Sequence, residues 1–204
     1  DHRKHAVSFF HESRSMKDIT QSVLEFWFGK VTDPADSAPQ PFWFKSTPDL
    51  DANIRTRFGS LLGQARAGAF EGRAKTADDH LAVILILDQF SRNIHRDTAA
   101  AFAGDALARD WARRMIAEGY DMRQPAPHRR VFCYMPLEHS EDIEDQHDAV
   151  RLISAIEDDS YTRFAEAHRD VIAEFGRFPH RNALLGRPSS RAEVAYLSKK
   201  GAGF

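Results

Sequence analysis

The sequence is short of most features that would point to one chemistry. It has a single cysteine, Cys133, in 204 residues, so no disulfide can form within the chain and burial must hold the fold together. Val131 and Tyr134 beside it read as core neighbours, which makes Cys133 a structural thiol rather than a reactive one. No stretch approaches the ~18 consecutive apolar residues of a membrane helix. The opening DHRKHAVSFFHESRS offers only AVSFF as an apolar run, which is no signal peptide. A membrane partner is therefore not expected, and a reducing cytoplasm is. The formal charge of -2 and pI near 6.6 provide no field that would gather nucleic acid. Lysine is scarce, 7 against 21 arginines among the 28 basic residues; planar forks suited to carboxylate or phosphate give that skew, and so does a GC-rich codon bias. There is no phosphate-binding glycine loop, no dinucleotide turn, no HExxH and no nucleophile elbow. No cofactor is expected. No segment shows strict alternation or a β-branched run, which leaves no strand.

What is present is helical periodicity. The stretch Leu81 to Arg96, LAVILILDQFSRNIHR, is apolar on every side for two turns and then turns polar. It reads as a central helix with Val83, Leu87, Phe90 and Ile94 on one stripe, and Leu81, Ile84 and Leu85 on a second face that continues into Asp88, Arg92 and His95. A helix buried on all sides does not become solvated within one turn, so these three polar side chains are expected to point into protein or a cleft, where they need partners. Around it, Asp18 with Gln21 has capping-box spacing for a first helix ending at Gly29. Residues 30–48 form a long loop, and its Phe42, Trp43 and Phe44 are expected to pin it to the core. Thr47 with Pro48 opens a second helix, Thr76 with Asp79 the central one, and Thr98 a fourth running to Gly119. Further helices are predicted from Pro127 to a stop or kink at Pro136, over 142–157 and 161–175, and from Ser190 to about Lys200. The expectation is one all-α domain over residues 18–204, with about eight helices packed as antiparallel hairpins and residues 1–17 as an extension. No repeat at a solenoid period is present.

Polar residues inside apolar pattern or on tight turns mark three stretches: DQFSRNIHR at 88–96, YMPLEHSED at 134–142 and FGRFPHRNALLGR at 175–187. These, in this order and with EFWFG near the start, resemble the largely bacterial family known as domain of unknown function 924, over about Ile19 to Leu197. The resemblance implies a helical fold similar to tetratricopeptide-like domains, a right-handed helical array, and carries no activity. Ser91 stands where that family commonly has proline, which predicts a less kinked central helix. His147 matches no histidine of the family.

The motifs support two function classes. In the first, Asp88, Arg92, Arg177, His180, Arg181 and Asn182 bind a small anionic ligand carrying phosphate or carboxylate, and His139 or Glu138 performs acid–base chemistry on it. The ground is an excess of cationic and imidazole groups over the carboxylates Asp88 and Glu138. The structural alternative is a salt-bridge network in which those carboxylates absorb the arginines. In the second class the chain is a scaffold for a protein partner. A metal site on Glu138, His139, Glu141, Asp142 and the Glu144–His147 pair is not expected, because nearby arginines oppose a cation and an acidic helix face meets such spacing by chance. Ser140 adjoins His139 but neighbours one apart on a helix do not face each other. His5, His11 and His168 read as surface or core residues.

Overall fold

Ser15, not Asp18, starts the first helix. In the computed structural model, which describes residues 14–204, α1 spans Met16–Phe28 and the Ser15 hydroxyl accepts the Asp18 N–H. Ser15 to Asp18 has the same spacing as Asp18 to Gln21, and the earlier pair caps the helix. Met16 and Lys17 thus belong to its first turn, while His5 and His11 lie outside the described residues. Ile19, Val23 and Trp27 fall on one face and are buried. The loop after α1 carries two short 3₁₀ turns, Pro34–Asp36 and Pro41–Trp43. Trp43 fastens it: its indole N–H donates to the Trp27 carbonyl at 2.8 Å, while Phe44, one residue on, is 65% exposed.

Helix α2, Pro48–Arg66, is capped by Thr47, and α3, Ala77–Leu85, by a capping box of Thr76 and Asp79. The central helix then departs from expectation. It widens into a π turn at Ile86–Phe90 before resuming as α4, Ser91–Ile94, with Ser91 the first residue after the turn. A π turn holds one extra residue, which rotates the rest of the helix by about 100°. Arg92 stays within reach of Asp88, but His95 no longer continues that face and meets the Arg66 Nη1 at 3.5 Å instead. The Ser91 hydroxyl accepts from Arg66 Nη2 and donates to the Ala101 carbonyl, both at 2.8 Å. The site of distortion is therefore tied to the next loop.

That loop is the second departure. Instead of one helix from Thr98, there is a 3₁₀ turn at Ala99–Phe102 and then α5, Asp105–Ala117, beginning after Gly104. The reason is a close approach: a Cβ at Gly104 would stand 3.0 Å from the Leu87 carbonyl oxygen inside the π turn. Gly104→Ala is accordingly expected to lower stability by about 1–2 kcal/mol, as overpacking against backbone does; equilibrium urea unfolding checks it, and an unchanged midpoint would show that the π turn yields.

Helix α6, Pro127–Glu138, runs through Pro136 rather than ending there, with His139 as its C-cap. Helix α7, Ile143–Ser154, is capped by Asp142, and α8, Asp159–Phe175, by Asp158. A last helix, α9 at Arg191–Leu197, has the expected capping box of Ser190 and Glu193. Counting α3, the π turn and α4 as one continuous helix gives eight among the described residues, with no strand. Helices α1 and α2 both pack on the central helix, which packs on α5, and from there α5, α6, α7 and α8 each pack on the next. One apolar core fills the single domain, and a smaller cluster of Val171, Ile172 and Phe178 supports the C-terminal loop. No helix of the described residues is long and apolar enough to cross a membrane. Cys133 is fully buried, and burial with the nearby Asp121 pushes its thiol up, so it is no nucleophile.

Candidate functional site

The first and second motifs meet at a buried carboxylate–imidazole pair. Asp88, turned inward by the π turn, is 1% exposed. Its Oδ1 lies 2.8 Å from His139 Nδ1 and accepts from Arg92 Nη1 at 3.2 Å, and its Oδ2 accepts from Gln89 Nε2 at 2.7 Å. Burial works to raise the Asp88 carboxyl, but His139 and Arg92 outweigh it and hold it at about 2. An ionised carboxylate only accepts, so Nδ1 carries the proton on His139 and Nε2 is left as the acceptor. Burial first, then Arg92, lowers the His139 pKa from its ordinary value, which keeps the ring neutral at pH 7.

Beside it, Glu138 is 4% exposed, with His168 Nδ1 at 3.2 Å from its Oε1. That Nδ1 also lies 2.7 Å from the Phe164 carbonyl. A carbonyl accepts only, so Nδ1 is the protonated nitrogen here too. Burial, and then the charge of Asp88, push Glu138 up to about 8, so at neutral pH it is a carboxylic acid. Burial, then His139, press His168 down to about 3, and burial, then Arg181, press His180 to about 4.

These groups form the floor of a cavity of about 520 Å³, lined among others by Arg92, Glu138, His139, His168, His180 and Arg181. Its walls are aromatic: Trp43, Phe44, Phe102, Tyr161, Phe164, Phe178 and Phe204. That volume lies in the usual range for a small-molecule site. Phe44 and Phe164 stack at the rim, 6.3 Å apart and nearly parallel. With Phe204 they account for three of the large exposed apolar side chains, whereas Val31 and Met122 do not line the cavity.

The structure brings five of the residues singled out in the sequence, Arg92, Glu138, His139, His180 and Arg181, to the cavity wall, with Asp88 directly behind. Two others do not reach it. Arg177 points away, forked onto Glu193 of α9 at 2.7 and 2.9 Å and onto the Pro188 carbonyl. Asn182 is buried and spent on Ser189 and Arg187. Both hold the C-terminal loop to its own turn. The expected excess of cations also fails, because Asp105, at the start of α5, is a third carboxylate that no motif contains. It takes both Arg92 guanidinium nitrogens at 2.9 and 3.1 Å and stands 3.7 Å from Arg181 Nη1. Arg181 is thus the least neutralised cation of the cavity; it lies between the Phe102 and Phe178 rings, 4.6 Å from each, and its Nε is buried without a partner. Burial, then Arg92, lower it to about 10, which still leaves it charged at pH 7.

His168 is an isolated histidine in the sequence, yet it is buried and lines the cavity. The signal for it is the run Tyr161, Ala165, His168, Ile172, all buried on one stripe of α8, where a polar side chain needs a reason. The acidic set that a metal would need is dispersed. Glu141 is bound to Arg187 and the Phe178 N–H, Asp142 caps α7, and His147 meets Glu144 on the surface. Among the described residues no group of three ligands could hold a metal ion.

The sequence model of the family described as "Bacterial protein of unknown function (DUF924)" matches residues 23–201. No curated protein matches the chain. A solved structure of a protein of unknown function from Agrobacterium tumefaciens is similar at 34% identity and a TM-score of 0.80, covering 90% of this chain and 99% of that one. With a family match over nearly its whole length and a helical neighbour of that similarity, the chain belongs to the bacterial DUF924 family.

Proposed function

We propose that the cavity is a binding and proton-transfer site for a small organic molecule with one anionic group. The observation that carries this is the Asp88–His139 pair, 2.8 Å apart, with His139 lining the cavity and no described residue bonded to its Nε2. A carboxylate behind an imidazole fixes its tautomer and stabilises the imidazolium that forms when Nε2 takes a proton. Glu138, one residue away and protonated at neutral pH, is the matching donor. Two titratable groups driven to opposite roles by their surroundings are the pattern of an acid–base site. Arg181 supplies the charge for the anionic group, and the aromatic walls hold the remainder.

A tetratricopeptide-like scaffold would need an exposed apolar groove for its partner. The exposed phenyl rings of Phe44, Phe164 and Phe204 surround the cavity instead, which favours a small molecule. The test is a thermal-shift panel of phosphate, sulfate, carboxylates and nucleotides. A ligand held at about 100 times its Kd adds about 2.7 kcal/mol, a rise of several degrees. We expect such a rise for one anion class with the wild type and its loss in Arg181→Met. A flat panel removes the proposal.

A further inference from the structure

The cavity already contains one aromatic ring supplied by the chain itself. Phe204 lies flat on the His168 imidazole, with ring centroids 3.6 Å apart and planes 18° from parallel. Phe178 and His180 stand nearly perpendicular to it, at 6.2 and 6.1 Å. One face and two steep walls make a slot for a planar ring, since this is how aromatic quadrupoles prefer to meet. The occupant fits the slot only in part, because 51% of Phe204 remains exposed.

Its tether is slight. Residues 201–204 leave α9 through Gly201 and Gly203, at φ 80° and 83°, a region only glycine enters freely. The Gly203 N–H donates to the Tyr196 hydroxyl at 3.2 Å. Gly203 also presses on His180 so closely that a Cβ there would come within 3.1 Å of the His180 Cβ. The His180 Nδ1 beneath is buried and has no hydrogen-bond partner. A buried ring nitrogen without a partner is unfavourable, and moving its cover relieves it. Arg181 lies 4.6 Å from the Phe178 ring and lines the same cavity. The least neutralised cation of the cavity therefore neighbours one wall of the slot.

We infer that the ligand is a small aromatic acid, whose ring takes the place of Phe204 on His168 as residues 201–204 swing out, and whose acid group meets Arg181 and the uncovered His180. This rests on the cavity being a ligand site, as proposed above. Residues 201–204 are then a self-occupant that competes with the ligand for the same face.

Benzoate and phenylacetate are the probes, with cyclohexanecarboxylate as a control of equal bulk and no planar ring. Calorimetry and the His168 ring-proton shifts would be measured in the wild type, Phe204→Ala and Phe204→Leu. The expected result is at least tenfold tighter binding of the aromatic acids to Phe204→Ala than to the wild type. It should come with an upfield shift of the His168 protons, no comparable gain for cyclohexanecarboxylate, and an intermediate effect in Phe204→Leu. Equal gains for the cyclohexane acid would reduce Phe204 to an apolar plug and overturn the aromatic preference. No binding of either aromatic acid, while another compound in the thermal-shift panel stabilises the protein, would overturn this inference and leave the ligand site standing. A panel flat for every compound would remove both.

Discussion

Asp88→Asn is expected to lower the folding free energy by about 1.5–3 kcal/mol, the range for weakening hydrogen bonds to a buried charged group. The carboxylate accepts from His139, Arg92 and Gln89 at once, and it is 1% exposed. An amide has one oxygen, which can still accept from His139 and Arg92 but without the carboxylate's charge, while the NH2 in place of Oδ2 forces the Gln89 amide to turn round. Arg92 keeps its fork onto Asp105, so the loss falls mainly on His139 and Gln89. Guanidinium unfolding of the two proteins measures it. A difference below about 1 kcal/mol would show that the pair is not a structural anchor. The acid limb gives a second reading. Because Asp88 is held at about 2 against an ordinary 3.8, its contribution is present above pH 3.8 and lost as pH falls through 2; the variant lacks that component. The nearby Asp88 charge also raises His139, so the His139 titration should move further down in the variant.

Relative to Glu138→Gln, the wild type should lose about 2 kcal/mol of stability between pH 6.5 and 8. The sign is set by where the proton sits. Glu138 titrates at about 8 in the fold against 4.5 when free, so over that window the folded state holds a proton that the unfolded chain has released, and stability falls with rising pH. His168 and His180, at about 3 and 4 against 6.5, act in the opposite direction: there the unfolded chain binds the extra protons, and stability rises with pH up to 6.5. The histidine trend fades only as pH passes through 6.5, where the unfolded imidazoles are still half protonated, but it is common to both proteins, so the difference between wild type and variant isolates Glu138. Thermal unfolding at pH 6.5, 7.2 and 8 would show the divergence; parallel curves would mean that Glu138 is ionised in the native protein, and the acid role assigned to it would go.

The helix starts are legible in the sequence because caps are local. Thr47, Thr76 and Ser190 each accept a backbone N–H within their own first turn, and nothing distant can alter that geometry. The π turn and the break at Gly104 are not legible, since each depends on the other through the Leu87 carbonyl, a contact between segments that periodicity cannot weigh. The same division runs through the site. Polar residues interrupting apolar pattern mark Arg92, Glu138 and His139, where burial creates the anomaly. Arg177 and Arg181 belong to one motif and look alike in sequence, but only the partners of each decide its direction: Glu193 claims the first, while the second turns under His139 and donates to its carbonyl. Asp105 sits in the first turn of α5, where an acidic residue needs no further explanation, so nothing marks it as the carboxylate between two arginines. Phe204 lies beyond the last helix, and only the tertiary structure places it on His168.

The chain's three tryptophans all belong to the apolar core, but Trp43, pinned by its indole to the Trp27 carbonyl, is the one of them that also lines the cavity. The native protein is thereby its own optical reporter. With Trp27 only 6.3 Å away and nearly parallel, the two indoles are close enough to share excitation. Displacement of water or of the rim phenyl rings beside Trp43 should then change the emission of the pair without any attached dye.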